Sequence, residues 1–296
     1  MHLNPNSLPD ITKDARAVLA IRAALKEDIG SGDATTLALV GPDVLATGEI
    51  QAREACCVAG LNVALYILQL LDPTLTYEIL IPNGAMAPKD GVLARFTGRA
   101  RAILTAERTA LNFIQRMSGT ATLTHQFVEA VKPYPCMVLD TRKTTPCLRV
   151  FEKFAVRCGG GMNHRFGLYD RILMKDNHRA LWAGGDPARL DLAVLAARKA
   201  YPLLAVEVEV ETLEELKSAL RAEPEWIMLD NMSCELMREC VKLTRSATKK
   251  TKLEASGGIN LQTVHNIAAT GVDALSVGAL THSAPSVDLA LEWSVI

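Results

Sequence analysis

Between Asp140 and His178 the chain carries eight Arg and Lys side chains against four carboxylates. The cations are Arg142, Lys143, Arg149, Lys153, Arg157, Arg165, Arg171 and Lys175; the acids are Asp140, Glu152, Asp170 and Asp176. That local excess of four stands out in a protein whose formal net charge is -1. The stretch also holds His164, His178 and the triple glycine Gly159-Gly160-Gly161. Several cations sit beside glycines or at the ends of apolar runs, where a chain turns, rather than along a solvated helix face. Arginine forks and lysine point charges placed this way describe a pocket for a small, multiply charged anion.

A second set of residues is acidic. In AVEVEVE, alternation puts Val206, Val208 and Val210 on one face and Glu207 and Glu209 on the other. The plain reading is a solvent-exposed strand face. A parallel strand is usually buried on both faces, and an inward carboxylate must then be paired or metal-linked. Glu209, nearest the strand end, is the better site candidate, and Asp230 at the end of WIMLD follows the same logic. Two carboxylates on neighbouring strand ends suit Mg²⁺ with a diphosphate, or a cationic transition state. LEASGGI and ALSVGAL read as a phosphate grip, with Ser256, Gly257 and Gly278 letting backbone N–H groups approach an anion. A lone Gly-Gly is usually a turn; two at successive strand ends say more. His178 and His282 are candidate bases, although a lone histidine is more often structural. No Ser-His-Asp order and no His-Glu-x-x-His motif occurs. Arg108, taken alone, is an exposed helix residue.

The elements that would position these groups follow a regular alternation. Short β-branched runs at 137–140, 172–175, 205–210, 226–230, 252–255 and 274–277 alternate with helical segments at 148–157, 187–201, 212–221, 234–246 and 261–270. Strand and helix at this spacing predict parallel β/α units. The polar groups fall at the downstream strand ends, which share one face in a parallel barrel and one edge in an open doubly wound sheet. The barrel is preferred, with about six strands instead of eight.

The preceding part reads as a smaller α+β unit. Residues 1–10 form a loose arm. A helix starts after Asp14, with Val18, Ile21, Leu25 and Ile29 at helical spacing and Gly30 as its stop. EDIGSGDATT is turn chemistry. Strands are expected over 44–58 and 91–103, and a buried helix over 60–71. A long helix over 103–131 contains ERTALNFIQRMSG, where Gly119 is a point of interruption. The domains are expected as 1–115, joined by 283–296, and 116–282.

Composition bounds the function. Hydrophobic residues make up 49% and charged residues 22% of 296, enough for a substantial core. The near-neutral balance argues against general nucleic-acid or membrane binding, so any anion site is local. Seven cysteines, an odd number with no Cys-x-x-Cys pair, read as reduced thiols. There is no signal-peptide pattern and no apolar run near the ~18 residues of a membrane span. A cytoplasmic protein is expected.

ERTALN, LDTRKT, GGGMNHR, LMKDNH, VEVEVE, MLDN, EASGGI and SVGALTHS, with GDATT near the start, resemble the successive motifs of the quinolinate phosphoribosyltransferase family. The resemblance covers about 27 to 283. It implies an N-terminal α/β sandwich with an incomplete α/β barrel, the chain after His282 returning to the N-terminal domain. It implies transfer of the phosphoribosyl group of phosphoribosyl pyrophosphate (PRPP) to quinolinate with decarboxylation, and Mg²⁺ as cofactor. It further implies a homodimer in which Arg108 reaches the partner's site. By resemblance, Arg108, Arg142, His164, Arg165 and Lys175 bind the quinolinate carboxylates. Lys143, Glu209, Asp230 and His282 face PRPP with Mg²⁺, and Ser256, Gly257 and Gly278 hold the phosphate.

Three other readings have distinct signatures. A Schiff-base aldolase or decarboxylase barrel would use Lys175 as nucleophile. A phosphoribosyltransferase of the same fold could take another heteroaromatic acid. A non-catalytic anion-binding module would bind without turnover, and the strand-end carboxylates count against it.

Overall fold

The computed structural model describes residues 8–182, 186 and 188–296. Most of the expected N-terminal arm, and Pro187 at the expected start of one helix, lie outside them. The chain divides into two compact units, and it enters and leaves each more than once. The first takes the chain up to His125, Lys143–Gly161 and Leu280–Ile296; the second takes Gln126–Arg142 and Met162–Ala279. Against the expected division of 1–115 with 283–296 and 116–282, the C-terminal segment does join the first unit, the first boundary lies at His125, and Lys143–Gly161 is a further inserted segment.

In the first unit, helix α1 (Ala15–Ile29) starts where the Asp14 carboxylate accepts the Arg16 backbone N–H at 2.9 Å and ends at Gly30 with φ 54°. That N-cap arrangement, with the Arg16 side chain as its main contributor, holds the Asp14 carboxyl down at about 2. Ala17, Ile21 and Leu25 recur every fourth residue and are buried. The GDATT stretch is more than a turn: Asp33 accepts the Thr36 N–H at 3.0 Å and caps a short helix, α2 (Ala34–Leu39).

Strand β1 (Leu45–Ala52) buries every second residue, and the expected run to 58 breaks after it. There the Arg53 N–H donates to the Asp288 carbonyl at 2.9 Å and the Glu54 carboxylate accepts the Asp288 N–H at 2.7 Å, drawing the chain off the sheet. It resumes as β2 (Cys56–Cys57), followed by α3 (Leu61–Leu71), β3 (Thr76–Ile79), β4 (Met86–Ala87) and β5 (Val92–Arg99). β2 pairs with β4.

The 32-residue helix α4 (Ala100–Val131) passes through Gly119 without a break. Helix α5 (Arg149–Cys158) comes from the inserted segment Lys143–Gly161, and Phe151, Phe154, Ala155 and Cys158 enter this unit's core. The last strand, β12 (Leu289–Val295), pairs antiparallel with β1, completing a four-stranded sheet in the order β12-β1-β5-β3.

The second unit holds β6 (Met137–Leu139), β7 (Ile172–Met174), α6 (Asp176–Ala180), α7 (Leu190–Ala200), β8 (Val206–Val210) and α8 (Leu213–Leu220). It continues through β9 (Trp226–Asp230), α9 (Cys234–Ala247), β10 (Lys252–Ser256), α10 (Val264–Ala268) and β11 (Ala274–Ser276), after which α11 (Ala279–His282) leads back to the first unit. The sheet order is β6-β11-β10-β9-β8-β7, with every recorded pairing parallel. From β7 to β11 each strand lies beside its sequence predecessor, and β6, first in sequence, closes beside β11. A doubly wound sheet reverses its order at a switch point; this one never reverses, which is barrel winding. β6 and β7 are not neighbours in the sheet, so the barrel is incomplete.

All five residues of β8 are buried. Valines cover one face and the two glutamates lie inside, which rules out a solvated strand face for VEVEV. Among the described residues no helix is long and apolar enough to cross a membrane.

Candidate active site

The barrel unit gathers most of the expected residues at the C-terminal ends of its strands, and it does so through a few anchors. Asp140, directly after β6, is fully buried. Its carboxylate accepts the His164 N–H at 2.9 Å and the Asn163 side-chain amide at 2.6 Å. This fixes the loop that carries His164 and Arg165. Arg165 lies near enough to Arg142 that burial, and then the repulsion of that second cation, pull the Arg165 guanidinium below its usual value. Two guanidiniums close enough to repel, in a partly buried setting, suit an anionic ligand.

His164 differs from its neighbours. Its ring is buried; Nδ1 accepts the Arg165 N–H at 2.7 Å, and Nε2 lies 2.9 Å from Glu207. Both ring nitrogens face protein groups.

At the next strand end, the Lys175 side chain pairs with Glu209 at 2.5 Å, so the expected carboxylate binder and the expected PRPP-facing acid neutralise each other. His178, a candidate base, caps α6 by accepting the Lys175 N–H at 3.0 Å. That is the structural role, and it engages one ring nitrogen of His178.

β9 and β10 end side by side, Asp230 opposite Ser256. Asn231 has φ 52°; its N–H donates to the Ser256 carbonyl at 2.9 Å and its amide to Asp230 at 2.8 Å. Gly257 has φ +97°, and a Cβ there would lie 2.1 Å from the Asn231 side-chain oxygen. Only glycine fits, so the backbone is bare where a phosphate would approach. Gly278 follows β11, whose exit is set by the Val277 N–H donating to the Leu139 carbonyl at 2.9 Å.

Arg108, Lys143 and His282 belong to the first unit, and all three are exposed. The Lys143 carbonyl accepts the Thr281 hydroxyl at 2.6 Å, and His282 Nδ1 lies 2.6 Å from the Ser283 hydroxyl.

Two further cations of the basic stretch are drawn inward. Lys153 is buried in the first unit. Arg171 lies against Glu207 at 3.1 Å and over the Trp226 ring at 5.4 Å. Sequence reasoning also passed over Asp140 and Glu254 as anchors. Alternation offered a signal for the second: Glu254 stands two residues before Ser256, on the same strand face. The seven cysteines are free thiols, as expected; Cys57 is buried, which lifts its thiol to about 12.

Residues 33–118 match the quinolinate phosphoribosyl transferase N-terminal domain, and residues 120–292 the C-terminal domain. The chain belongs to the quinolinate phosphoribosyltransferase family. Among curated relatives, it is 42% identical over 268 residues to the probable nicotinate-nucleotide pyrophosphorylase [carboxylating] of Synechocystis, covering 90% of this chain and 89% of that one. It is 43% identical over 275 residues to the Mycobacterium leprae nicotinate-nucleotide pyrophosphorylase [carboxylating], covering 92% and 95%. The nicotinate-nucleotide pyrophosphorylase of Francisella tularensis superposes with a TM-score of 0.89 at 38% identity, over 99% of both chains. Membership in this family accounts for the fold in full: an incomplete six-stranded barrel accompanied by a four-stranded N-terminal sheet that the C-terminal strand completes.

Proposed function

We propose that this chain transfers the phosphoribosyl group of PRPP to quinolinate with loss of carbon dioxide, giving nicotinate mononucleotide and pyrophosphate. The observation that carries the reading is the family match over both parts of the chain, in relatives named for this reaction.

The chemistry suits the residues. Both substrates are polyanions, and a cation-lined mouth brings them together. Arg142, Arg165 and Lys175 take the quinolinate carboxylates, and His164 serves that set through Arg165, whose backbone N–H its ring accepts. Lys143 and His282 take PRPP, and Ser256, Gly257 and Gly278 its ribose phosphate. Departure of pyrophosphate leaves an oxocarbenium-like ribose, which Glu209 and Asp230 stabilise electrostatically. The quinolinate ring nitrogen attacks the anomeric carbon and becomes a pyridinium. Loss of the adjacent carboxylate as carbon dioxide then leaves a carbon lone pair that the positive ring nitrogen stabilises as an ylide, and a proton from water completes nicotinate mononucleotide. The route requires no covalent enzyme nucleophile.

The hard oxygen donors of Glu209 and Asp230 fit Mg²⁺. When bound, the ion neutralises the leaving pyrophosphate. The free thiols are in keeping with a reducing, cytoplasmic setting.

Lys175 as a Schiff-base nucleophile is disfavoured. Its amine is engaged by Glu209, whereas such a lysine needs a free amine in an apolar pocket.

The deciding assay follows quinolinate absorbance with PRPP and Mg²⁺. Loss of absorbance with stoichiometric carbon dioxide is expected, and nicotinate should be inert. Turnover of nicotinate but not quinolinate by folded protein would refute the proposal.

A homodimer is part of this reading, with Arg108 serving the partner's site. Arg108 is exposed on α4, as that role requires. Mixed Arg108→Ala and Lys143→Ala subunits should then regain up to about a quarter of wild-type activity, the fraction of intact sites from random pairing of complementary defects. Mixed dimers that form but stay inactive would rule out a shared site.

A further inference from the structure

Inside the barrel lie two buried carboxylates to which the transfer reaction gives no role. Glu207 on β8 and Glu254 on β10 are both fully buried. Glu207 Oε2 lies 2.9 Å from His164 Nε2 and 3.1 Å from Arg171 Nη1. Glu254 Oε2 lies 3.5 Å from the same His164 nitrogen. Among the described residues, neither oxygen of Glu254 has a hydrogen-bond partner of regular geometry. Buried charges cost several kcal/mol unless paired, so the arrangement needs a reason.

The three groups are close enough to share one metal ion, their ligand atoms lying within 4.8 Å of one another. The imidazole argues against it. Nδ1 accepts the Arg165 backbone N–H, so its hydrogen bonds assign the ring's proton to Nε2. A ring so held has no lone pair on Nε2 to offer a metal. Glu207 Oε2 is the acceptor beside that nitrogen, at 2.9 Å.

Both partners of Glu207 hold the same third residue. His164 Nδ1 accepts the Arg165 N–H at 2.7 Å, and the Arg171 carbonyl accepts Arg165 Nη1 at 3.1 Å. One carboxylate thus lies beside both residues that touch Arg165, His164 at its backbone N–H and Arg171 at its guanidinium.

We propose that Glu207, backed by Glu254, is a positioning residue that aims Arg165 at the quinolinate carboxylate. This rests on the reading of Arg165 as a quinolinate-binding residue. The electrostatics are consistent with it. Burial opposes the Glu207 charge, but His164 and Arg171 together hold its carboxyl below the usual range. Burial, and then the Glu207 charge beside it, push the Glu254 carboxyl well above its usual range.

The test is a double-mutant cycle between Glu207→Gln and Arg165→Ala. Glutamine keeps the shape but sets an N–H₂ against one of the two donors. Glu207→Gln should raise the quinolinate KM about tenfold, with the PRPP KM and kcat held within about twofold. In an Arg165→Ala background the same change should add less than about twofold, because the residue it positions is gone. If Glu207→Gln does not fold, Glu254→Gln should give the same pattern at smaller amplitude, since its contact with the relay is indirect. A merely structural role would lower the melting temperature and leave the quinolinate KM alone, and that result would overturn the proposal. So would equal effects in both backgrounds, a rise in the PRPP KM alone, or one equivalent of bound divalent metal lost on substitution. An Arg165→Ala defect without a Glu207→Gln defect would sink this proposal only. An Arg165→Ala enzyme with unchanged quinolinate KM would sink the site assignment and this proposal with it.

Discussion

Glu209→Gln should lower kcat by roughly two to three orders of magnitude while leaving the quinolinate KM unchanged or slightly lower. Glu209 sits on β8, between β7 and β9, and only 6% of its surface is exposed. A carboxylate fixed on a rigid strand and screened from water acts strongly on a cation that develops in the transition state. Removing one such preorganised charge costs about 3–4 kcal/mol.

A competing effect has the opposite sign for binding. Glutamine frees Lys175, whose side chain is 46% exposed in its pair with Glu209. A freed lysine would grip a substrate carboxylate better. A pair this open is worth at most about 1 kcal/mol, so the loss in the transition state wins. Steady-state kinetics at saturating PRPP decide the matter. A kcat within threefold of wild type would remove Glu209 from the catalytic set.

The largest expected effect on stability is at Gly119. Alanine is the better helix former by about 1 kcal/mol, so in the middle of a 32-residue helix the simple expectation is stabilisation. The tertiary structure reverses the sign. A Cβ at Gly119 would lie 1.8 Å from the Pro285 carbonyl oxygen and 3.1 Å from the Ser286 Cα. These are backbone atoms, and they cannot step aside cheaply. The Arg116 guanidinium donates to the Thr281 carbonyl at 2.6 Å and also to that of Ala284, and the Val287 N–H donates to the Gln115 carbonyl at 3.2 Å. The segment is therefore held on both sides of the clash. Gly119→Ala should destabilise by roughly 3–5 kcal/mol, lowering the thermal midpoint by about ten degrees. A midpoint at or above that of the wild type would mean the segment yields and helix propensity prevails.

The same glycine shows where the sequence was readable and where it was not. From the chain alone Gly119 is a weak point in a helix. Its real constraint is contact with residues more than 160 positions later, which no local pattern encodes. The burial of Lys153 and the pairing of Arg171 were unreadable for a related reason. An isolated cation in a sequence reads as surface, and only three-dimensional neighbours can make burial tolerable. His178 was readable as polar at a strand end, yet its hydrogen bond to Lys175 made it a cap.

What the sequence determined by itself is what repeats at short range. Alternation in VEVEV placed both glutamates on one face, strand and helix spacing implied parallel β/α units, and the order of motifs from ERTALN to SVGALTHS marked the family. These survive because side-chain period and turn chemistry are local properties of the backbone. The tertiary structure decided the rest. It closed β6 beside β11 and left the barrel incomplete, gave α5 to the first unit's core, and turned the His164 ring inward between Arg165 and Glu207. Each of these depends on pairings between distant segments, where burial sets the cost of every unpaired charge. The basic stretch around Arg142 and Arg165 was visible in the sequence; the buried acids that hold it in place became visible only in the fold.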